Sequence, residues 1–113
     1  MDADAIRDLF AGLGEVRVRK MFGGQGVYRD DLMFGLEAGG ELFLKADAET
    51  AGAFAAAASR QFVYTKDGRP TLMSYWRLPD AALDDPDEAA RWGRLAVDAA
   101  RRSASPRRKK ARA

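Results

Sequence analysis

Cysteine and histidine are both absent from this 113-residue chain. Without cysteine there is no disulfide, no thiol nucleophile and no thiol redox centre. Without histidine the usual general base near neutral pH is missing. Together the two absences exclude a Ser-His-Asp triad, a thiol protease and a structural zinc site of the Cys/His type. Long hydrophobic runs are also missing. No stretch approaches the ~18 apolar residues of a membrane span. The N-terminal Met1-Asp2-Ala3-Asp4-Ala5-Ile6 is acidic where a secretory signal would start basic and turn apolar. The expected address is cytoplasmic. Carboxylate chemistry, lysine chemistry and magnesium binding stay formally open.

What is present suffices for one globular domain, since 47% of residues are hydrophobic. The net charge of +2 conceals a split. Residues 101–113 hold Arg101, Arg102, Arg107, Arg108, Lys109, Lys110 and Arg112 and no acid. The other 12 basic residues face all 17 acids, so residues 1–100 carry about −5 against about +7 in the tail. A basic arm on an acidic body is the expected organisation: a domain over 1–102 and a disordered basic tail over 103–113.

The element pattern begins with an amphipathic helix over 4–13, where Ile6, Leu9, Phe10 and Leu13 recur at helical spacing and Gly12 and Gly14 are candidate C-caps. Val16 to Met21 alternates as a strand. A glycine turn then leads into a strand at Gly26–Arg29. Asp30-Asp31 reads as a tight turn, Leu32–Leu36 as a central strand, Gly39-Gly40 as a hairpin turn and Glu41–Lys45 as the next strand. Asp47 is placed to cap a second helix over 48–58, with Ala51, Phe54, Ala55 and Ala58 as its stripe. Gln61–Thr65 and Thr71–Arg77 flank a loop over 66–70. Asp85-Pro86-Asp87-Glu88 opens a last helix with capping-box spacing, carrying Ala89, Trp92, Ala96 and Ala99 on one face and ending near 101–102. The order α-β-β-β-β-α-β-β-α predicts an α+β domain of two layers, an antiparallel sheet with helices packed on one face.

The residues that could carry chemistry are few. Gly23, Gly24 and Gly26 stand near Lys20; the run is read as a tight connection that uses positive φ and close packing, with a backbone anion cradle as the alternative. No helix follows, as a phosphate-binding loop would require. Tyr75 and Trp76 point to opposite faces of one strand; one enters the core, and the other is free to form a contact patch with Tyr28 or Tyr64. Arg29, Lys66, Arg69 and Arg77 would have to interleave with such aromatics to bind a single-stranded nucleic acid, against the body's negative charge. The acidic pairs Asp30-Asp31 and Asp84-Asp85, with Asp87-Glu88, are read as turn and cap residues rather than catalysts. No cofactor or metal is called for. The tail cations offer a sequence-independent polyanion contact, with a log–log salt slope no steeper than about −6.

Several pieces together resemble the TfoX N-terminal domain family. They are Arg19-Lys20-Met21-Phe22-Gly23-Gly24 with Gly26 and Tyr28, Met33-Phe34, Glu41-Leu42-Phe43-Leu44-Lys45-Ala46-Asp47, Phe62 with Tyr64, Met73-Ser74-Tyr75-Trp76, Leu78-Pro79 and the helix containing Trp92, spanning about 5–101. The resemblance implies an α+β fold like that of type III secretion chaperones. It also implies kinship with regulators of natural competence, DNA uptake and transformation. These are similar to coactivators that work with a transcription factor rather than to enzymes, and they carry a second, helical domain where this chain has a short basic tail. No catalytic residues come with the resemblance. The expected function is therefore a non-enzymatic regulatory domain that acts by protein contact. Lys20, Met21, Phe22, Gly23, Gly24, Gly26 and Tyr28 form its signature turn, and Tyr28, Tyr75 and Trp76 are its candidate contact aromatics. Weak nucleic-acid binding through the tail is the alternative.

Overall fold

A computed structural model describes residues 1–21 and 23–104. Among these residues six strands form one antiparallel sheet: β1 (Arg17–Met21), β2 (Gly24–Arg29), β3 (Leu32–Ala38), β4 (Glu41–Lys45), β5 (Gln61–Lys66) and β6 (Arg69–Arg77), in spatial order β1-β2-β3-β4-β6-β5. Three helices, α1 (Ala3–Leu9), α2 (Ala51–Ala56) and α3 (Pro86–Ala104), pack against one face. The expected α+β class and layering hold.

Antiparallel partners that lie directly opposite share a face, so the register sorts the side chains. The row Val18–Val27–Gly35–Leu44–Trp76 lies under the helices. Gly35 leaves room there for Leu44, whose Cδ2 would lie 3.2 Å from a Cβ at that position. The core joins Val27, Phe34, Leu42, Leu44 and Leu78 of the sheet side to Ile6, Leu9 and Phe10 of the N-terminal segment and to Ala89, Trp92, Ala96 and Val97 of α3. The expected α3 face is buried, and its alanines bring the helix close to the sheet.

Several boundaries differ from the sequence reading, each for a local reason. The first helix ends at Leu9 and continues as a 3-10 turn over Ala11–Leu13. The tightened turn lets Phe10 and Leu13 reach α3 where Gly93 has no side chain; a Cβ there would lie 2.7 Å from Leu13 Cδ1. β2 begins at Gly24 rather than Gly26, so two of the three signature glycines are strand residues. The 66–70 loop shrinks to Asp67 and Gly68, both at positive φ as a tight two-residue hairpin requires. Pro70 is accepted into β6 because β4 pairs with that strand only at Tyr75–Arg77. α2 covers Ala51–Ala56 instead of 48–58: Asp47 accepts from Glu49 N (3.0 Å) as a cap does, but it heads a turn over 48–50, and Ala58 at φ 59° lies beyond the helix end. Of the expected α2 stripe, only Phe54 is buried. Asp85 caps α3 by accepting from Asp87 N (3.1 Å) and Glu88 N (3.3 Å), but Glu88 turns to Arg91 instead of closing a capping box. α3 continues to Ala104, past the expected end near 102, so Ser103 and Ala104 of the anticipated tail are helical. The rest of that tail lies outside the described residues.

Candidate functional site

The sheet face turned away from the helices would ordinarily be polar. Here its rows read Arg17–Tyr28–Met33, Arg19–Gly26–Leu36–Phe43–Arg77 and Lys45–Tyr75. Methionine and aromatic side chains therefore alternate with cations across five strands. Gly26 sits beneath the first group. A Cβ added there would lie 2.7 Å from Met21 Sδ, 3.0 Å from Tyr28 Cε1 and 3.3 Å from Met33 Sδ, so those three side chains converge over the bare backbone. The Arg19 guanidinium stands 5.9 Å from the centre of the Tyr28 ring.

A second group sits toward β6. Phe43 is only 2% exposed although it lies on the face opposite Leu44 and the helix side of the sheet. The Phe62 ring lies 4.7 Å away and the Arg60 guanidinium 5.7 Å from its centre, and these close it off. Arg60 and Arg77 both donate to Glu41. The hydrogen bond from Arg60, more than any other influence, holds the Glu41 carboxyl below its ordinary range. Lys45 Nζ donates to Ser74 Oγ at 2.7 Å and stands 5.4 Å from the Tyr75 ring centre, within cation–π reach. Burial pushes the Tyr75 hydroxyl up to about 12, and the nearby Tyr28 adds to the shift. Tyr28 and Tyr75, distant in sequence, both belong to this face.

The remaining sequence candidates are distributed elsewhere. Trp76 is the aromatic that faces the helices, stacked on Phe54 at 6.3 Å. Lys20 belongs to the helix-side row with Gln25 and Glu37, opposite in direction to Met21. Beside the glycine turn it shares a shallow groove with Asp2 and Glu37. Two carboxylates against one lysine make this groove a poor anion cradle. The glycines have packing duties instead: Gly23 has φ +80°, and a Cβ on Gly24 would come within 2.2 Å of the Glu37 carbonyl oxygen. Phe22 lies outside the described residues. Arg102 is bidentate on Asp47 (2.6 and 3.1 Å) and 3.0 Å from Glu49, and Arg101 pairs with Asp98 at 3.3 Å. Arg107, Arg108, Lys109, Lys110 and Arg112 lie outside the described residues. Among the described residues no group of three acids gathers to hold a metal ion, and no helix is long and apolar enough to cross a membrane.

Sequence reasoning missed Arg19, Met33, Phe43, Lys45 and Arg60 as members of one surface. Their signal was the odd-numbered alternation of Glu41, Phe43 and Lys45, hidden by the apolar run Leu42-Phe43-Leu44.

The TfoX N-terminal domain matches residues 8–100. The chain is also 27% identical over 101 residues to Protein Sxy of Escherichia coli (strain K12), an alignment covering 89% of this chain and 48% of that protein. The chain thus spans about half the length of the curated relative it matches.

Proposed function

The chain belongs to the TfoX N-terminal domain family, and on that premise we propose that it is a competence-regulator-like module, non-enzymatic, that works by docking a protein on the face of its sheet opposite the helices. The observation that carries this reading is the make-up of that face. Tyr28, Tyr75, Met21 and Met33 form an adaptable apolar surface, and Arg19 and Lys45 stand over its rings. Methionine-rich surfaces repack around a partner, and tyrosine and arginine are the residue types that dominate protein interfaces. The cations favour a partner that brings acidic side chains to the rim of the contact. A transcription factor is the proposed partner, as for a coactivator. The two tail cations within the described residues are already engaged by carboxylates. The described surface therefore supports protein contact over polyanion contact.

The test is affinity capture from the source cells with four baits: wild type, Tyr28→Ala, Tyr75→Ala, and Arg94→Ala on the exposed side of α3. The proposal expects one transcription regulator to be retained by wild type and Arg94→Ala. Purified, it should bind both tyrosine variants at least about tenfold more weakly, the scale of an interface hot spot. Equal retention by all four baits, or retention of duplex DNA alone, overturns the proposal. Thermal melts of each bait establish that it is folded.

A further inference from the structure

The sheet has two edges, and they are defended differently. β1 runs Arg17-Val18-Arg19-Lys20-Met21, three cations in five residues, a common guard against strand-to-strand pairing. β5 runs Gln61-Phe62-Val63-Tyr64-Thr65-Lys66, uncharged until its last residue. Val63 and Leu72 lie directly opposite in the β5–β6 ladder, so they share a face, and they are 46% and 66% exposed.

The backbone of β5 can be sorted from its turn. Asp67 and Gly68, at φ 54° and 77°, close a two-residue hairpin with Lys66 opposite Arg69. In such a hairpin the closing pair is hydrogen-bonded and the next pair, Thr65 with Pro70, is not. A proline without an N–H fits that second position. The alternation then makes Val63 and Leu72 another non-hydrogen-bonded pair. The N–H and C=O of Val63 therefore point away from β6, out of the free edge of the sheet.

From these observations we infer that β5 is a self-association edge and that its occupant is the β5 strand of a second copy, antiparallel, about a two-fold axis beside Val63. In that pairing the two Val63 residues exchange both backbone hydrogen bonds. The side chains form a continuous apolar row, Leu72–Val63–Val63–Leu72, that covers surface each copy leaves exposed. A second copy is the fitting partner because the row is its own complement, as a two-fold interface requires. The same operation at β1 would set cations against each other, Arg17 opposite Arg19 with the axis at Val18 or Arg19 opposite its own copy with the axis there, and like charges facing across strands destabilise. This surface is separate from the tyrosine–methionine face, and neither reading rests on the other.

Sedimentation equilibrium of the full chain over a wide concentration range tests the inference. The expected result is a reversible monomer–dimer equilibrium. Val63→Lys opposes two like charges at the axis and should weaken the dimer at least about tenfold, about 1.4 kcal/mol. Val63→Pro removes the outward N–H alone and should also leave monomers. Arg19→Ala, on the other edge, should leave the equilibrium unchanged. Melting curves at low concentration check that each variant folds, and since Val63 is half-exposed the lysine variant keeps the test decisive if the proline one does not fold. A single monomeric species throughout, or a dimer that neither Val63 variant weakens, overturns the inference.

Discussion

Gly24 and Gly39 are both glycines beside hairpin turns, yet different forces hold them. Gly39 has φ +61° and open space around it, so a side chain there is strained only by the backbone. Gly24 would drive a methyl into the Glu37 carbonyl, and a backbone atom cannot swing aside as a side chain does. We expect Gly24→Ala to cost about 3 kcal/mol and Gly39→Ala about 1 kcal/mol. At about 4–8 °C per kcal/mol for a domain of this size, thermal melts should separate them clearly; an equal or reversed order would contradict the close strand approach. Tyr75 gives the corresponding test of electrostatics. An unfolded tyrosine titrates near 10, whereas the folded Tyr75 is pushed up to about 12. The folded state therefore binds the proton more tightly. Its stabilising contribution is intact below pH 10 and is lost as pH rises from 10 to about 12. Ultraviolet titration should show one late phenolate that disappears in Tyr75→Phe, and the stability of that variant should fall less steeply across the same window.

At the scale of elements, α2 shows how little a short helix needs. It has six residues, no side-chain N-cap hydrogen bond and one buried side chain, Phe54. Helices this short have no independent stability. Its anchor is the aromatic stack in which Phe54 lies 4.7 Å from Trp92 and 6.3 Å from Trp76, tying α2 to both α3 and β6. Phe54→Ala should cost about 3–5 kcal/mol, with a changed tryptophan emission because both indoles lose the ring they pack on. A loss below about 1 kcal/mol, within the range of ordinary surface substitutions, would mean that α2 is held by its ends instead. There, Arg102 grips Asp47 and Glu49 from the last turn of α3.

For the whole molecule, one sheet serves two purposes. The helices seal one face into the core, and the other face keeps a layer of methionine, tyrosine and phenylalanine shielded by its own arginines and lysine. A two-fold axis perpendicular to the sheet at β5 would put both open faces on the same side of a dimer, so a partner could meet two copies of the contact face at once. The acidic balance of residues 1–100 is largely spent locally, on caps at Asp2 and Asp85 and on pairs such as Glu41 with Arg60 and Arg77.

The amino-acid order alone carried the class, the layering and nearly every element, because periodicity, glycine turns and helix caps act over a few neighbouring residues. The Asp85-Pro86 helix start and the Gly39-Gly40 hairpin were legible for that reason. Packing set the rest. Whether Gly24 joins a strand depends on a carbonyl thirteen residues away, and α2 holds its place through the packing of Phe54 on Trp76 and Trp92. Which of Tyr75 and Trp76 faces the helices depends on the register of β4 against β6, since one step in register exchanges the two faces of a strand. The contact face was hidden for the same reason: its members come from strands separated in sequence, and only hydrogen-bonded register lays them side by side.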